Sequence, residues 1–135
     1  MSWIGYALRM AKRYYDSKTY DHAIRVAGYV ADNSTIPDNK MDMCISLAIM
    51  HDLVEDTEYK LKMAPDELAR GLDVLTNDDK CFDYIDYIKN ITLNKEGCPE
   101  AYWVKLADMK DHLAQTETLT DKLKEKYLAA LPYLL

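Results

Sequence analysis

Apolar residues recur along most of the chain at intervals of three and four positions, which is the spacing of one face of an α-helix. No segment alternates apolar and polar residues as a half-buried β-strand does. The sequence therefore predicts an all-α protein, a bundle of six to seven helices. The predicted helices cover roughly residues 3–15, 20–32, 38 to the stretch around 50, 64–75, 82–92, 100–115 and 118–134.

The chain has 135 residues and contains no repeat or linker, so we expect a single domain spanning residues 1–135. Apolar residues make up 49% of it, and no uncharged run approaches the ~20 residues that a membrane helix needs. Its N-terminus lacks the layout of a signal peptide, and its three cysteines form no C-x-x-C pair. These features predict a cytoplasmic protein with reduced thiols and no membrane partner.

The most unusual stretch is 47–57, where an apolar run ends in His51, Asp52, Glu55 and Asp56. In a helical conformation His51 and Glu55 would lie on one face, and so would Asp52 and Asp56, because each pair is four residues apart. Burying such groups without compensation would cost several kcal/mol or force their protonation. A divalent cation supplies that compensation, since imidazole and carboxylate are ordinary ligands of first-row metals.

Two residues elsewhere in the chain complete a candidate metal site. His22 stands near the start of the second predicted helix, and Asp108 follows Leu106 and Ala107 on a helix with a half-buried pattern. A carboxylate in that setting needs a partner. His22, His51, Asp52 and Asp108 would give two nitrogen and two oxygen ligands and leave coordination positions open for water, as a catalytic metal requires.

The order of these residues resembles that of the HD phosphohydrolase superfamily: a histidine, then a His-Asp pair, then a distant aspartate on a later helix. The segment 51–57, His-Asp-Leu-Val-Glu-Asp-Thr, is similar to the H-D-x-x-E-D-T block of RelA/SpoT-type alarmone hydrolases. The segments 75–80 and 104–108, and Tyr20-x-His22, resemble that family in the same order. The similarity covers nearly the whole chain and implies a single HD-domain helical bundle.

The resemblance implies a manganese-dependent enzyme that removes the 3′-pyrophosphate from (p)ppGpp. By this resemblance, four residues would bind the metal. Two further residues would position or deprotonate the attacking water. The implied metal ligands are His22, His51, Asp52 and Asp108, and the implied catalytic pair is Glu55 and Asp56.

Two departures from the family pattern fall on substrate-contacting positions. The family's Arg-Lys pair before the first histidine is absent, with only Lys18 close by, and the family's asparagine after the last metal aspartate is His112 here. We expect Lys18, Arg25 and His112 to contact the substrate. The alternatives are an HD nucleotidase or phosphodiesterase acting on another small nucleotide, and a non-enzymatic module that keeps its metal for structure.

The net charge of −6 disfavours a nucleic acid polymer as partner, because polymer binding needs a basic surface with many phosphate contacts in a row. A small phosphorylated nucleotide remains compatible with an acidic chain, since a bound metal and a few local cations reverse the field around the site. The oligomeric state is left open.

Overall fold

A computed structural model describes residues 3–77 and 83–135, and within these ranges the regular structure is entirely helical. This confirms the predicted all-α fold class. Among the described residues, seven helices have ten residues or more, as six to seven were predicted, and an eighth is a single turn. The α-helices are α1 Ile4–Tyr14, α2 Ser17–Ala31, α3 Asp38–Met50, α4 Leu53–Asp56, α5 Asp66–Leu75, α6 Tyr84–Leu93, α7 Pro99–Ala114 and α8 Asp121–Ala130; short 3-10 helices cover Leu61–Met63 and Leu131–Tyr133.

Helix α2 begins three residues earlier than predicted, because the segment 16–18 is a helix start and not a break. The Asp16 carboxylate accepts a hydrogen bond from the backbone N–H of Thr19 at 2.7 Å, which caps the first turn. Asp and Ser at 16 and 17 are also common in turns, so the sequence alone did not reveal this cap. At the other end of the chain, α8 and the final 3-10 helix replace the one long helix predicted for 118–134.

The stretch that follows α3 is not one continuous helix, because side-chain groups bond to the backbone at its break. The Tyr15 hydroxyl donates to the Ile49 carbonyl at 2.8 Å and accepts from the backbone N–H of Asp52 at 3.2 Å. The His51 ring lies 2.6 Å from the Ala48 carbonyl. Helix α3 therefore ends at Met50, and the chain turns through His51 and Asp52 before α4 begins.

Helix α7 is central to the bundle and contributes to both clusters of buried apolar side chains. Its residues Ala101 and Val104 pack into the larger cluster, which is built from α1, α2, α3 and α5. Tyr102 and Met109 belong to the smaller cluster with α6, α8 and the C-terminal 3-10 helix. Because α7 is packed on both sides, a charged residue buried on it must find a partner inside the protein.

Three further points concern a buried cysteine, membrane spans and the residues that are not described. Cys44 is fully buried in the core. No helix in the described part of the chain is both long and apolar enough to cross a membrane. Residues 78–82 lie outside the described residues. They include Cys81, the second half of the 75–80 segment and the start of the helix predicted for 82–92.

Replacing Gly71 by alanine should destabilise the larger cluster. A Cβ at this position would lie 2.6 Å from Leu47 Cδ1, and Leu47 is itself buried and cannot move aside without disturbing the core. Overpacking of this kind costs about 1–3 kcal/mol, and the higher helix propensity of alanine offsets about 1 kcal/mol of it. We expect a lower free energy of unfolding for Gly71→Ala in chemical denaturation.

The matched control is Gly28→Ala on α2, where an added Cβ meets nothing within 4 Å. That variant should gain about 0.5–1 kcal/mol from helix propensity alone. Equal effects of the two substitutions would contradict the close packing of α5 on α3.

Candidate metal centre

Four side chains from different parts of the chain converge on one point between α2, α7 and the end of α3. His22, His51, Asp52 and Asp108 each offer one ligand atom, and these atoms all lie within 4.8 Å of one another. His22 Nε2 lies 2.8 Å from Asp108 Oδ1, and His51 Nε2 lies 3.0 Å from the same oxygen. Asp52 Oδ2 lies 3.2 Å from His51 Nε2 and 3.8 Å from His22 Nε2. The predicted ligand set is therefore assembled in space.

Asp108 is the most deeply buried carboxylate of this set, at 2% exposure. Its Oδ2 accepts a hydrogen bond from the Lys105 ammonium at 2.7 Å, one helical turn away on α7. Burial acts to raise the pKa of Asp108, but the charges of Lys105 and His51 outweigh it and hold that pKa well below its usual range. Asp108 is thus ionised, with one oxygen neutralised by Lys105 and the other turned toward the histidines.

Both histidines of the set have their second ring nitrogen fixed by an acceptor. His22 Nδ1 lies 2.6 Å from Asp111 Oδ2, and His51 Nδ1 lies 2.6 Å from the Ala48 carbonyl. In a neutral ring with its N–H at Nδ1, the Nε2 lone pair would be directed at the shared point. This carboxylate–histidine or carbonyl–histidine arrangement is the usual support of a metal-bound imidazole, since it sets both tautomer and ring orientation.

Asp111 is a residue of this candidate centre that the sequence interpretation missed. It is fully buried, and it also accepts a hydrogen bond from Arg25 Nε at 2.9 Å. Burial acts to raise the pKa of Asp111, but the bonds from Arg25 and His22 lower it. A signal was present in the spacing: His22 and Arg25 are three apart on α2, and Asp108 and Asp111 are three apart on α7, so two matched pairs face each other.

The substrate-contacting residues proposed from the sequence occupy different settings. Arg25 pairs with Asp111 while its side chain stays 41% exposed, and Lys18 lies exposed in the first turn of α2. His112 reaches the centre itself, with Nε2 3.2 Å from Asp108 Oδ1.

The two residues proposed for catalysis lie just beyond the ligands, on α4. Glu55 and Asp56 are both exposed, and Glu55 Oε1 accepts a hydrogen bond from the backbone N–H of Asn77. The backbone N–H of Asp56 donates to the Asp52 carbonyl at 3.0 Å, which ties the end of α4 to a ligand residue. Glu55 and Asp56 thus follow Asp52 by three and four residues.

The electrostatics of the cluster favour a positive ion. Burial acts to lower the pKa of His51, yet the charges of Asp52 and Asp108 raise it well above its usual range. The pKa of His22 is raised for a similar reason, because its bond to Asp108 outweighs its burial. A site that draws positive charge onto both imidazoles fits a divalent cation, which delivers that charge through a single ion bound to the same atoms.

Comparison with models of known protein families found no match for this chain, and comparison with curated proteins found none either. The metal centre is accordingly inferred from the positions and surroundings of its own side chains.

Removing the acceptor behind His22 should weaken metal binding without removing a ligand. In Asp111→Asn the carboxylate that orients His22 and pairs with Arg25 is lost, so the imidazole is held less firmly and is less basic. Loss of such a partner typically costs ~10–100-fold in metal affinity. Isothermal titration calorimetry of the metal-free protein with Mn²⁺ measures this affinity. Asp42→Asn, an exposed substitution on α3, is the control and should bind as wild type does; equal affinity in all three proteins would refute the supporting role of Asp111.

Proposed function

We propose that the chain is a metal-dependent phosphohydrolase that acts on a small phosphorylated nucleotide. The first candidate reaction is the removal of pyrophosphate from the 3′ position of (p)ppGpp. The observation that supports this best is the convergence of His22, His51, Asp52 and Asp108, with both imidazoles fixed through Nδ1. The resemblance of these residues and their neighbours to HD-type alarmone hydrolases supplies the reaction class.

In this proposal the four converging side chains hold one divalent cation, with Mn²⁺ as the first choice. The donor set fits, because two imidazole nitrogens and two carboxylate oxygens suit a first-row metal with open positions. A cation bound there would polarise a phosphoryl oxygen and lower the pKa of a water molecule. Lys105 keeps Asp108 ionised, and Asp111 keeps the His22 lone pair aimed at the site.

Glu55 and Asp56 are assigned the handling of the proton. The water oxygen attacks the phosphorus that is bonded to the ribose 3′-oxygen, and the bond between that phosphorus and the 3′-oxygen breaks. The leaving oxygen takes the electron pair and a proton, so ppGpp and water become GDP and pyrophosphate. Glu55 accepts the proton of the water, and its Oε1 is steadied by the backbone N–H of Asn77.

The charges near the centre suit a compact phosphorylated substrate. Arg25 stands beside His22 with 41% of its side chain exposed, so part of the guanidinium is accessible to a phosphate. Lys18 lies about two turns before Arg25 on the same helix. Two cations and a metal match a pyrophosphate ester and fall short of the row of contacts that a polymer backbone needs.

A different small nucleotide is the second candidate, and one observation favours it. His112 stands at the centre where the alarmone hydrolases have an asparagine, and its ring lies parallel to that of Tyr127. An aromatic pair at this position alters the surface that a substrate would meet.

The decisive experiment incubates the Mn²⁺-loaded protein with ppGpp and with a panel of other nucleotides, and identifies the products by chromatography. We expect GDP and pyrophosphate from ppGpp. Cleavage of another nucleotide while ppGpp survives would move the substrate to the second candidate. Cleavage of no nucleotide by protein shown to contain metal would favour a non-enzymatic metal-binding module.

Glu55→Gln is the matched variant in the same assay. Glutamine keeps the oxygen that accepts from Asn77 but cannot take a proton, so the metal content should persist while turnover falls ~10²–10⁴-fold. Full turnover in this variant would remove Glu55 from the proposed mechanism.

A further inference from the structure

We infer that His112 is a fifth ligand of the proposed cation, so that the centre has three imidazole nitrogens and two carboxylate oxygens. The inference rests on the metal centre described above and deepens it. It assigns His112 to the metal, where the sequence suggested contact with the substrate.

Three imidazole nitrogens approach the same carboxylate oxygen. Asp108 Oδ1 lies 2.8 Å from His22 Nε2, 3.0 Å from His51 Nε2 and 3.2 Å from His112 Nε2. His112 is one helical turn after Asp108 on α7, and residues four apart present their side chains to one point on a helix face. The spacing is the one that lets two residues of a single helix share a metal.

Two rings lie against the His112 ring. It stacks on the buried ring of Tyr127 at a centroid distance of 4.6 Å and an interplanar angle of 16°. The His22 ring lies at a centroid distance of 4.6 Å, tilted by 34°. The side chain is still 35% exposed, so it forms the edge of the centre that is open to solvent.

The hydrogen-bonding capacity of Asp108 argues that the third nitrogen is a ligand. Its Oδ2 already accepts from Lys105, and its Oδ1 already faces His22 and His51. A carboxylate oxygen has two lone-pair sites, so a third N–H donor at Oδ1 exceeds what that oxygen accepts. A cation beside Oδ1 resolves the crowding, because each imidazole then offers a lone pair and not a proton.

A third imidazole changes the relative affinities of the centre for different metals. Imidazole suits zinc, iron and nickel, whereas carboxylate and water ligands suit manganese, magnesium and calcium. His112 should therefore raise the affinity for Co²⁺ or Ni²⁺ more than the affinity for Mn²⁺. Loss of His112 should therefore reduce the difference between the affinity for Co²⁺ or Ni²⁺ and the affinity for Mn²⁺.

The test compares wild type with His112→Asn and with Lys110→Asn, an exposed substitution on the same helix. Titration of each metal-free protein with Co²⁺ and with Mn²⁺ gives the two affinities, and the visible absorption of bound Co²⁺ reports its coordination. For His112→Asn we expect a Co²⁺ affinity lower by at least the ~10–100-fold typical of losing a ligand's support, a smaller loss for Mn²⁺, and an altered Co²⁺ spectrum. Lys110→Asn should match wild type in all three measurements.

Each other outcome overturns a defined part of the inference. An unchanged affinity and spectrum in His112→Asn would leave the four-residue centre standing and exclude ligation by His112. A lower affinity with the wild-type Co²⁺ spectrum would make His112 a positioning residue for Asp108. Failure of wild type to bind either metal would instead refute the proposed centre. Circular dichroism confirms folding of the metal-free variants, and His112→Gln is measured as a second replacement in case the asparagine variant is unfolded.

Discussion

The arrangement of the bundle around its centre depends on the ionised carboxylate of Asp108, buried in the middle of α7. A carboxylate in this position is tolerable only if both of its oxygens are compensated. Lys105 compensates one oxygen from the preceding turn of the same helix, and imidazoles from α2 and from the end of α3 approach the other. The packing of three separate segments is thereby tied to a single charged group.

The same constraint explains why the polar centre lies inside an apolar bundle. Helix α7 has apolar partners on both sides, and its buried Asp108 meets His22 of α2 and His51 of the turn after α3. Asp111, one turn beyond Asp108, repeats the pattern by pairing with His22 and Arg25. The two aspartates thus add polar contacts between α2 and α7 to the apolar packing of the larger cluster.

The helices and the four converging side chains were predictable from sequence, whereas the contacts that support them were not. Helical periodicity located the seven longer helices, because it reflects burial of one face. The break at His51 and Asp52 was not predictable, since it depends on the hydroxyl of Tyr15, which is remote in sequence. Asp111 escaped notice for a related reason: its role exists only when α2 lies against α7, and a lone aspartate beside Lys110 has the local pattern of a solvated charge.

The central claim is that these side chains hold one divalent cation, and anomalous diffraction tests it most directly. Crystals of the protein soaked in Mn²⁺ should show one strong anomalous peak among His22, His51, Asp52 and Asp108 when data are collected on the high-energy side of the manganese edge. Crystals of an Asp108→Asn variant, soaked in the same way, should lack that peak. A well-ordered wild-type crystal with no peak at this position, or with peaks only on exposed carboxylates, would contradict the account.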